Sequence, residues 1–304
     1  MYNCEPIINV AKENGCEIFR DQPMSKYTSF KIGGPADVLI KVNTKEVLSR
    51  LIKECNKNNV KFFILGNGSN ILVSDLGIRG VVFKLCGEFS TIKLEDETKI
   101  KCGTSVSLAK LCSFALENSL SGLEFAWGIP GSTGGAVFMN AGAYGGEMKD
   151  VLVSCEHIDQ NGDFNILTGD ELDLGYRKSA YTSNECVETF LTVNLKKGDK
   201  LQIKSRMDEL MKRRKDKQPL EMPSAGSIFK RPEGNFAGTL IQECGLKGEK
   251  IGGAMVSPKH GNFIVNCGNA TCKDVLNLIY KIQKTVFEKK KIFLECEVRV
   301  VGEV

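Results

Sequence analysis

Four stretches of this chain have residue types and spacing suited to chemistry on an anionic, phosphorylated molecule. The first is Gly128–Gly146, GIPGSTGGAVFMNAGAYGG, in which seven of nineteen residues are glycine and none is Lys, Arg, Asp or Glu. Glycine is used where backbone must pass close to another group or take positive φ, and clustered backbone N–H groups can cradle an anion. The segment reads as lying against a large, flat, phosphorylated ligand; the blander reading is a glycine-rich turn between packed strands. The second is Tyr176-Arg177-Lys178-Ser179-Ala180-Tyr181, a cation in a tyrosine-flanked turn. Arginine suits planar, bidentate recognition of a carboxylate, although a surface arginine is the ordinary alternative. The third is Ser224–Pro232, SAGSIFKRP, where Ser227 follows a glycine. A covalent serine hydrolase would need G-x-S-x-G and a histidine base. Neither is present in register, so Ser227 reads as a hydroxyl that donates a proton or a hydrogen bond, or is satisfied within its own turn. The fourth is Ile292–Val301, read as a strand with Phe293, Glu295, Glu297, Arg299 and Val301 on one face and Ile292, Leu294, Cys296, Val298 and Val300 on the other. Two carboxylates and an arginine on one face are either a site or a solvated edge.

A second loop suits phosphate. Gly66-Asn67-Gly68-Ser69-Asn70 directly follows an apolar run and begins like G-x-G-x-x-G, but Ile71 stands where the third glycine belongs and no helix pattern follows. The dinucleotide fingerprint therefore fails on context, and no Walker A sequence exists. A tight turn remains, with Ser69 and Asn70 able to reach phosphate oxygens. Two such loops suit a dinucleotide whose pyrophosphate lies between them.

The elements that must position these groups alternate along the chain. Asp37–Val42 reads as a strand. Thr44 offers an N-cap to a helix with Val47, Leu48, Leu51, Ile52 and Cys55 at helical spacing. Lys61–Leu65 is a short strand ending at Gly66. Ser107 can cap a helix carrying Leu108, Leu111, Cys112, Ala115 and Leu116. From Val151 to Leu195, short runs and an Asn-Gly turn imply antiparallel sheet. Leu201–Lys217 reads as a helix with Ile203, Met207, Leu210 and Met211 inward and a basic outer face, ended by Pro219 and Pro223. Arg214 and Lys217, nearest that turn, are the cations expected to reach a phosphate. A helix from Lys273 carries Val275, Leu278, Ile279, Ile282 and Val286. His260 reads as structural or as a substrate hydrogen-bonder.

The 304 residues are enough for two or three domains. A net charge of +4 is too mild to imply nucleic acid but suits anionic small molecules. No apolar run reaches membrane-spanning length, and the first twenty residues lack a signal-peptide core. Twelve cysteines without a CxxC pair, in a chain without an export signal, read as reduced thiols of a cytosolic protein. Two histidines and no ligand cluster speak against a metal.

Taken in order, YTSFKIGGPAD, LGNGSNILVSD, GIPGSTGGAVFMNAGAYGGE, YRKSAY, SAGSIFKRP, LKGEKIGGA and LECEVRVVG resemble the UDP-N-acetylenolpyruvoylglucosamine reductases, flavoenzymes of peptidoglycan precursor synthesis. The resemblance runs from about Tyr27 to Gly302. It implies an α+β fold, with a two-part FAD-binding domain of the vanillyl-alcohol-oxidase/PCMH type and a C-terminal α+β substrate domain. We place these at residues 1–85, 86–200 and 201–304. It implies non-covalent FAD, NADPH as hydride donor and a UDP-sugar as partner, with no nucleic acid, no membrane insertion and no resident metal. By position, Arg177, Ser227 and Glu297 match the family's catalytic trio. Gly66, Asn67, Gly68, Ser69, Asn70, Ile129, Pro130, Gly131, Ser132, Thr133, Gly134, Gly135, Asn140, Gly142 and Ala143 match its cofactor-binding positions. Tyr144, Arg214, Lys217, Lys230, Lys247 and Arg299 match groups around the substrate. The short spacings from Arg177 to Ser227 and on to Glu297 resemble the family's short form, which lacks a substrate-covering loop.

The implied chemistry is hydride delivery to the β-carbon of an enol ether, leaving enolate character on the α-carbon and carboxylate. Arg177 would neutralise the carboxylate. Glu297, kept protonated by burial or a neighbouring charge such as Glu295, would donate a hydrogen bond. Ser227, helped by Lys217 or Lys230, would deliver the proton. Two alternatives stand beside this reading: another flavin oxidoreductase on the same cofactor fold, and a non-catalytic nucleotide- or nucleic-acid-binding protein using the basic helix.

Overall fold

The computed structural model describes residues 2–303. The chain divides into two compact units. The first comprises the described residues up to Arg20, with Val38–Asn67 and Gly80–Arg213; the second comprises Asp21–Asp37, Gly68–Arg79 and the described residues from Arg214 onward.

The first unit has two layered parts. Helices α1 (Glu5–Glu13) and α2 (Lys45–Lys57) each bury one face: Ile7, Ile8 and Ala11 from α1, and Leu48, Leu51, Ile52 and Cys55 from α2. These cluster with Val38, Ile40, Val42, Val81 and Phe83, from a four-stranded sheet ordered Glu17–Pro23, Pro35–Val42, Ile78–Leu85, Phe62–Ile64. Each large aliphatic side chain so buried contributes about 1.5–3 kcal/mol. Thr44 caps α2 as its sequence implies, accepting from the Val47 amide at 3.3 Å. The second part is a five-stranded antiparallel sheet ordered Phe164–Thr168, Leu152–Ile158, Val187–Asn194, Lys99–Gly103, Ile92–Leu94. Helices α3 (Leu108–Glu117), capped by Ser107, and α4 (Thr133–Phe138), capped by Ser132, share its core.

Helix α5 (Lys200–Lys217) buries Ile203, Met207 and Leu210. Met211, expected inward, is only half-buried, and the buried position one turn beyond Leu210 belongs to Arg214. A helical row at i, i+4, i+7, i+11 passes through Arg214 rather than Met211. The basic face is partly spent on ion pairs within the helix: Lys204 with Asp208, and both Arg206 and Arg213 with Glu209.

In the second unit a four-stranded antiparallel sheet, ordered Ser224–Ser227, Phe263–Asn266, Ala254–Val256, Lys250–Ile251, shares a core with α6 (Ala237–Glu243) and α7 (Cys272–Lys290). Phe30, Ile32 and Leu72 enter the same core, and Arg299–Val301 pairs in parallel with Ile71–Val73. These long-range contacts draw residues 21–37 and 68–79 together with the C-terminal part; no local pattern announces them.

The expected single strand Ile292–Val301 is a correction. Only Arg299–Val301 is strand, with one isolated bridge from Cys296 to Phe229 before it. The cause is a two-on-one contact. The amides of Glu297 and Val298 both donate to the Ile228 carbonyl, at 2.8 and 3.3 Å, which bends the chain and ends the ladder.

The start of α7 is capped twice. Thr271 and Asp274 form a capping box, and the Asp75 carboxylate accepts from the amides of Cys272 (2.8 Å) and Lys273 (3.0 Å). Asp75 thus satisfies two open helix donors and complements the helix dipole. We expect Asp75→Ala to cost about 1–2 kcal/mol, read as a lower urea midpoint at unchanged m-value. An unchanged midpoint would show that the second cap adds nothing.

Candidate active site

The glycine-rich segment is built rather than merely flexible. It contains α4 and a minimal hairpin in which Gly142–Ala143 pairs with Gly146–Glu147. Tyr144 and Gly145 form its turn, both with positive φ (+55° and +89°), as two-residue hairpins of type I′ require. The amides of Ile129, Gly131, Thr133 and Gly134 donate to main-chain carbonyls of this unit, and that of Gly135 donates to the Ser132 hydroxyl. Those five amides therefore serve the local fold. Tight packing sets several of the glycines: a Cβ on Gly134 would lie 2.7 Å from Thr104, and one on Gly146 would lie 2.7 Å from the Phe125 ring. The two sequence-predicted cofactor loops meet within this unit, since a Cβ on Gly66 would sit 2.6 Å from the Ser132 hydroxyl. Lys84, half-buried and pushed below the usual lysine range mainly by that burial, donates to the Gly66 carbonyl at 3.2 Å.

Arg177 occupies a tight turn in which Gly175 and Lys178 exchange backbone hydrogen bonds of 3.0 and 3.2 Å. Its φ is +55°, a left-handed conformation that costs a side-chain-bearing residue roughly 1–2 kcal/mol. The guanidinium donates to the Gly142 carbonyl at 3.4 Å, and its central carbon lies 5.1 Å from the Tyr176 ring centre. The turn is held at both ends. The fully buried Asn140 donates to the Gly175 carbonyl at 2.9 Å, and the fully buried Ser179 donates to the Phe138 carbonyl at 2.6 Å. Asn140 also donates to Glu147 (3.0 Å) and accepts from the Lys149 amide (2.9 Å). Its amide group is thus occupied inside the protein. Lys149 and Asn140, with the charge of Arg177, hold the Glu147 carboxyl below its usual range. Beyond Ser179, the buried Tyr181 hydroxyl donates to the Cys155 carbonyl and meets His157 Nδ1, each at 3.2 Å.

Ser227 and Glu297 lie in the second unit and are tied through one residue. Ser224 pairs with Val265 and Ser227 with Phe263, so the serine strand carries one extra residue. Gly226, with φ +74°, absorbs this bulge, which re-aims the half-exposed Ser227. The next residue, Ile228, supplies the carbonyl that receives the Glu297 amide. Asn70 Nδ2 donates to the Glu297 carbonyl at 3.2 Å, so both backbone groups of Glu297 are pinned. Asn262 steadies the serine side: its amide group exchanges two hydrogen bonds with the Phe229 backbone (2.9 and 3.0 Å), and its carbonyl accepts from the Ile228 amide (2.9 Å).

The cations divide into four groups. Lys230 pairs with Glu295, which is largely exposed. The charges of Lys247 and Lys217, two of the predicted substrate cations, both add to the lowering of the His260 pKa, after burial. Arg214 is buried and its guanidinium donates to Gln218 at 3.2 Å. Arg299 is exposed beside Ile71 in the parallel pair.

A UDP-N-acetylenolpyruvoylglucosamine reductase of Clostridium botulinum is 50% identical over 283 residues, 93% of this chain and 92% of that protein. The chain belongs to the UDP-N-acetylenolpyruvoylglucosamine reductase family. A crystal structure of such a reductase from Thermus caldophilus matches 94% of this chain and 99% of its own, with a TM-score of 0.82 and 41% identity. Residues 218–301 match the model of the C-terminal domain of this family, and residues 36–167 match that of an FAD binding domain. A variant of berberine bridge enzyme, 14% identical, overlays 65% of this chain and 44% of its own at a TM-score of 0.51; that likeness concerns the fold alone. The expected α+β architecture, with a two-part FAD-binding domain of the vanillyl-alcohol-oxidase/PCMH type, is the one found.

The residues present fit FAD. The Gly128–Gly146 segment has no charged side chain and leaves Pro130 and Gly135 exposed, with Gly131 and Gly142 half-exposed. Small neutral backbone of this kind can lie against a flat ring or a pyrophosphate, and Lys84 supplies positive charge beside it. Sequence reasoning missed Lys84, Ser179 and Asn262. Their partners lie far along the chain, and only the hydroxyl of YRKS and the amide of HGN hinted at buried hydrogen bonding.

Both histidines are held below their ordinary range. Burial is the main cause for each, with Lys247 and Lys217 adding to it at His260. The Asn262 amide donates to His260 Nδ1 at 3.2 Å, which requires that nitrogen to be unprotonated. A depressed folded-state value means that the unfolded chain binds protons first. The stabilisation is therefore complete above about pH 6.5 and is lost as pH falls through the folded-state values. Urea midpoints should fall between pH 7.5 and 5.5, and His157→Gln should flatten part of that slope; an unchanged slope in the variant would contradict the burial argument.

Proposed function

We infer that this chain reduces the enolpyruvyl group of UDP-N-acetylglucosamine enolpyruvate to give UDP-N-acetylmuramate, an FAD- and NADPH-dependent step of peptidoglycan precursor synthesis. The observation that carries this reading is half-identity to a reductase of that name over nearly the whole of both chains. The alternative of a different flavin oxidoreductase has only distant fold similarity behind it. Bound FAD would supply the hydride, taken from NADPH, that reaches the β-carbon of the enol ether.

The residues of the chain handle the charge and the proton. As hydride arrives, negative charge gathers on the α-carbon and the carboxylate. Preorganised donors lower the energy of such a state because they need not reorganise when it forms. Arg177, presented on its rigid turn, binds the carboxylate. Glu297 donates a hydrogen bond to it in the protonated form, which desolvation by the bound substrate would favour. Ser227, re-aimed by its bulge, gives its proton to the α-carbon. Lys217 and Lys247 receive the diphosphate, joined by Tyr144, Arg214, Lys230 and Arg299 around the rest of the substrate. The reading places the reaction in the cytoplasm, where thiols such as those of the buried Cys55, Cys102 and Cys112 stay reduced. No helix among the described residues is long and apolar enough to cross a membrane.

The purified protein should be yellow, bleach anaerobically with NADPH and regain colour when the UDP-enolpyruvyl sugar is added. A colourless protein, or one that stays bleached with that sugar, would overturn the assignment. Ser227→Ala should lose about 10²–10⁴ in turnover, the scale of general acid catalysis, while bleaching by NADPH stays near normal. Equal collapse of both half-reactions with FAD retained would make Ser227 structural.

A further inference from the structure

We propose that Asn140 and Ser179 are positioning residues for Arg177, forming a two-point clamp on its turn. This rests on the reading of Arg177 as the group that binds the substrate carboxylate. Asn140 matches a cofactor-binding position of the family, yet its side chain is fully buried. Its donor nitrogen is shared between the Gly175 carbonyl and Glu147, and its oxygen accepts from the Lys149 amide. An amide so committed is a structural bracket rather than a ligand contact.

The symmetry of the contacts gives the bracket its purpose. Asn140 grips the turn two residues before Arg177, at Gly175, and Ser179 grips Phe138 from two residues after it. Both anchors lie at the end of α4, within one stretch of three residues. Between them the arginine is held at φ +55°, a conformation that its own preferences oppose. Strained backbone persists only where its surroundings over-determine it, and two buried hydrogen bonds flanking the strained residue provide that. Asn140 is itself left-handed, with φ +43°, which asparagine tolerates better than most residues. Released from either pin, the turn can relax toward negative φ and swing the guanidinium away from its direction beside Gly142. A displacement of about 1 Å at a group that binds the reacting part of a substrate can cost about 10²-fold in rate.

The test is a double-mutant cycle on the FAD-loaded protein, with the two half-reactions followed separately. Asn140→Ala should slow reoxidation by the UDP-enolpyruvyl sugar by about 10- to 100-fold. Ser179→Ala removes a single atom and should slow the same half-reaction, with FAD retention and reduction by NADPH changed less than about threefold; it carries the test if Asn140→Ala fails to fold or to hold FAD. Placed on an Arg177→Ala background, each clamp variant should add almost nothing, because it acts through a side chain no longer there. Independent, multiplying losses on that background would overturn the clamp, as would equal damage by Ser179→Ala to both half-reactions. If Arg177→Ala itself reoxidises at the wild-type rate, the role of Arg177 fails first, and the clamp with it.

Discussion

One backbone carbonyl, that of Ile228, receives two amide hydrogens from the far end of the chain, and much of the second unit is arranged around that contact. It fixes Glu297 next to the segment that carries Ser227. It also breaks what would otherwise be a continuous strand, because two amides cannot share one acceptor without bending the chain. The bulge at Gly226 does the same on the other side of the contact. A regular ladder would have pointed both side chains by simple alternation. The two irregularities let each be aimed independently. Asn70 and Asn262 hold the two segments from behind.

The first unit solves a similar problem with different parts. Arg177 cannot hold its own conformation, so the surrounding structure holds it. The glycine-rich segment does two jobs at once. Its glycines permit close packing against Thr104, Phe125 and Ser132, and its neutral surface suits a flat cofactor. Several of the amides that a phosphate cradle would use are instead bonded within the unit, and Lys84, which donates to the Gly66 carbonyl, is a cation beside the Gly66 turn.

Much of this was legible in the sequence. Thr44, Ser107 and the apolar spacing of α2 and α3 announce those helices because caps and helical periodicity are local. The seven motifs in order point to the family, and the identity to the Clostridium botulinum enzyme bears this out. What stayed hidden is what depends on distant partners. Alternation from Ile292 to Val301 reads as one strand, and nothing local reveals that the Ile228 carbonyl will interrupt it. Glu295 reads from the sequence only as a neighbour of Glu297, yet its carboxylate pairs with Lys230 from the serine segment. Arg214 looks like one cation of a wet face, yet it is buried, because an 18-residue helix turns enough to bring it onto the inner row. Asn140 sits among residues that match cofactor positions, and only the structure shows its side chain bonded to Gly175, Glu147 and Lys149.

The central claim is that the chain divides the reduction between a hydride at one carbon and a hydroxyl proton at the next. The direct measurement is NMR of the product formed with NADPH in deuterated water. One deuterium should appear at the α-carbon of the new lactyl group, delivered from an exchangeable hydroxyl, and the β-carbon should carry the hydride. An α-carbon free of solvent deuterium would contradict the account.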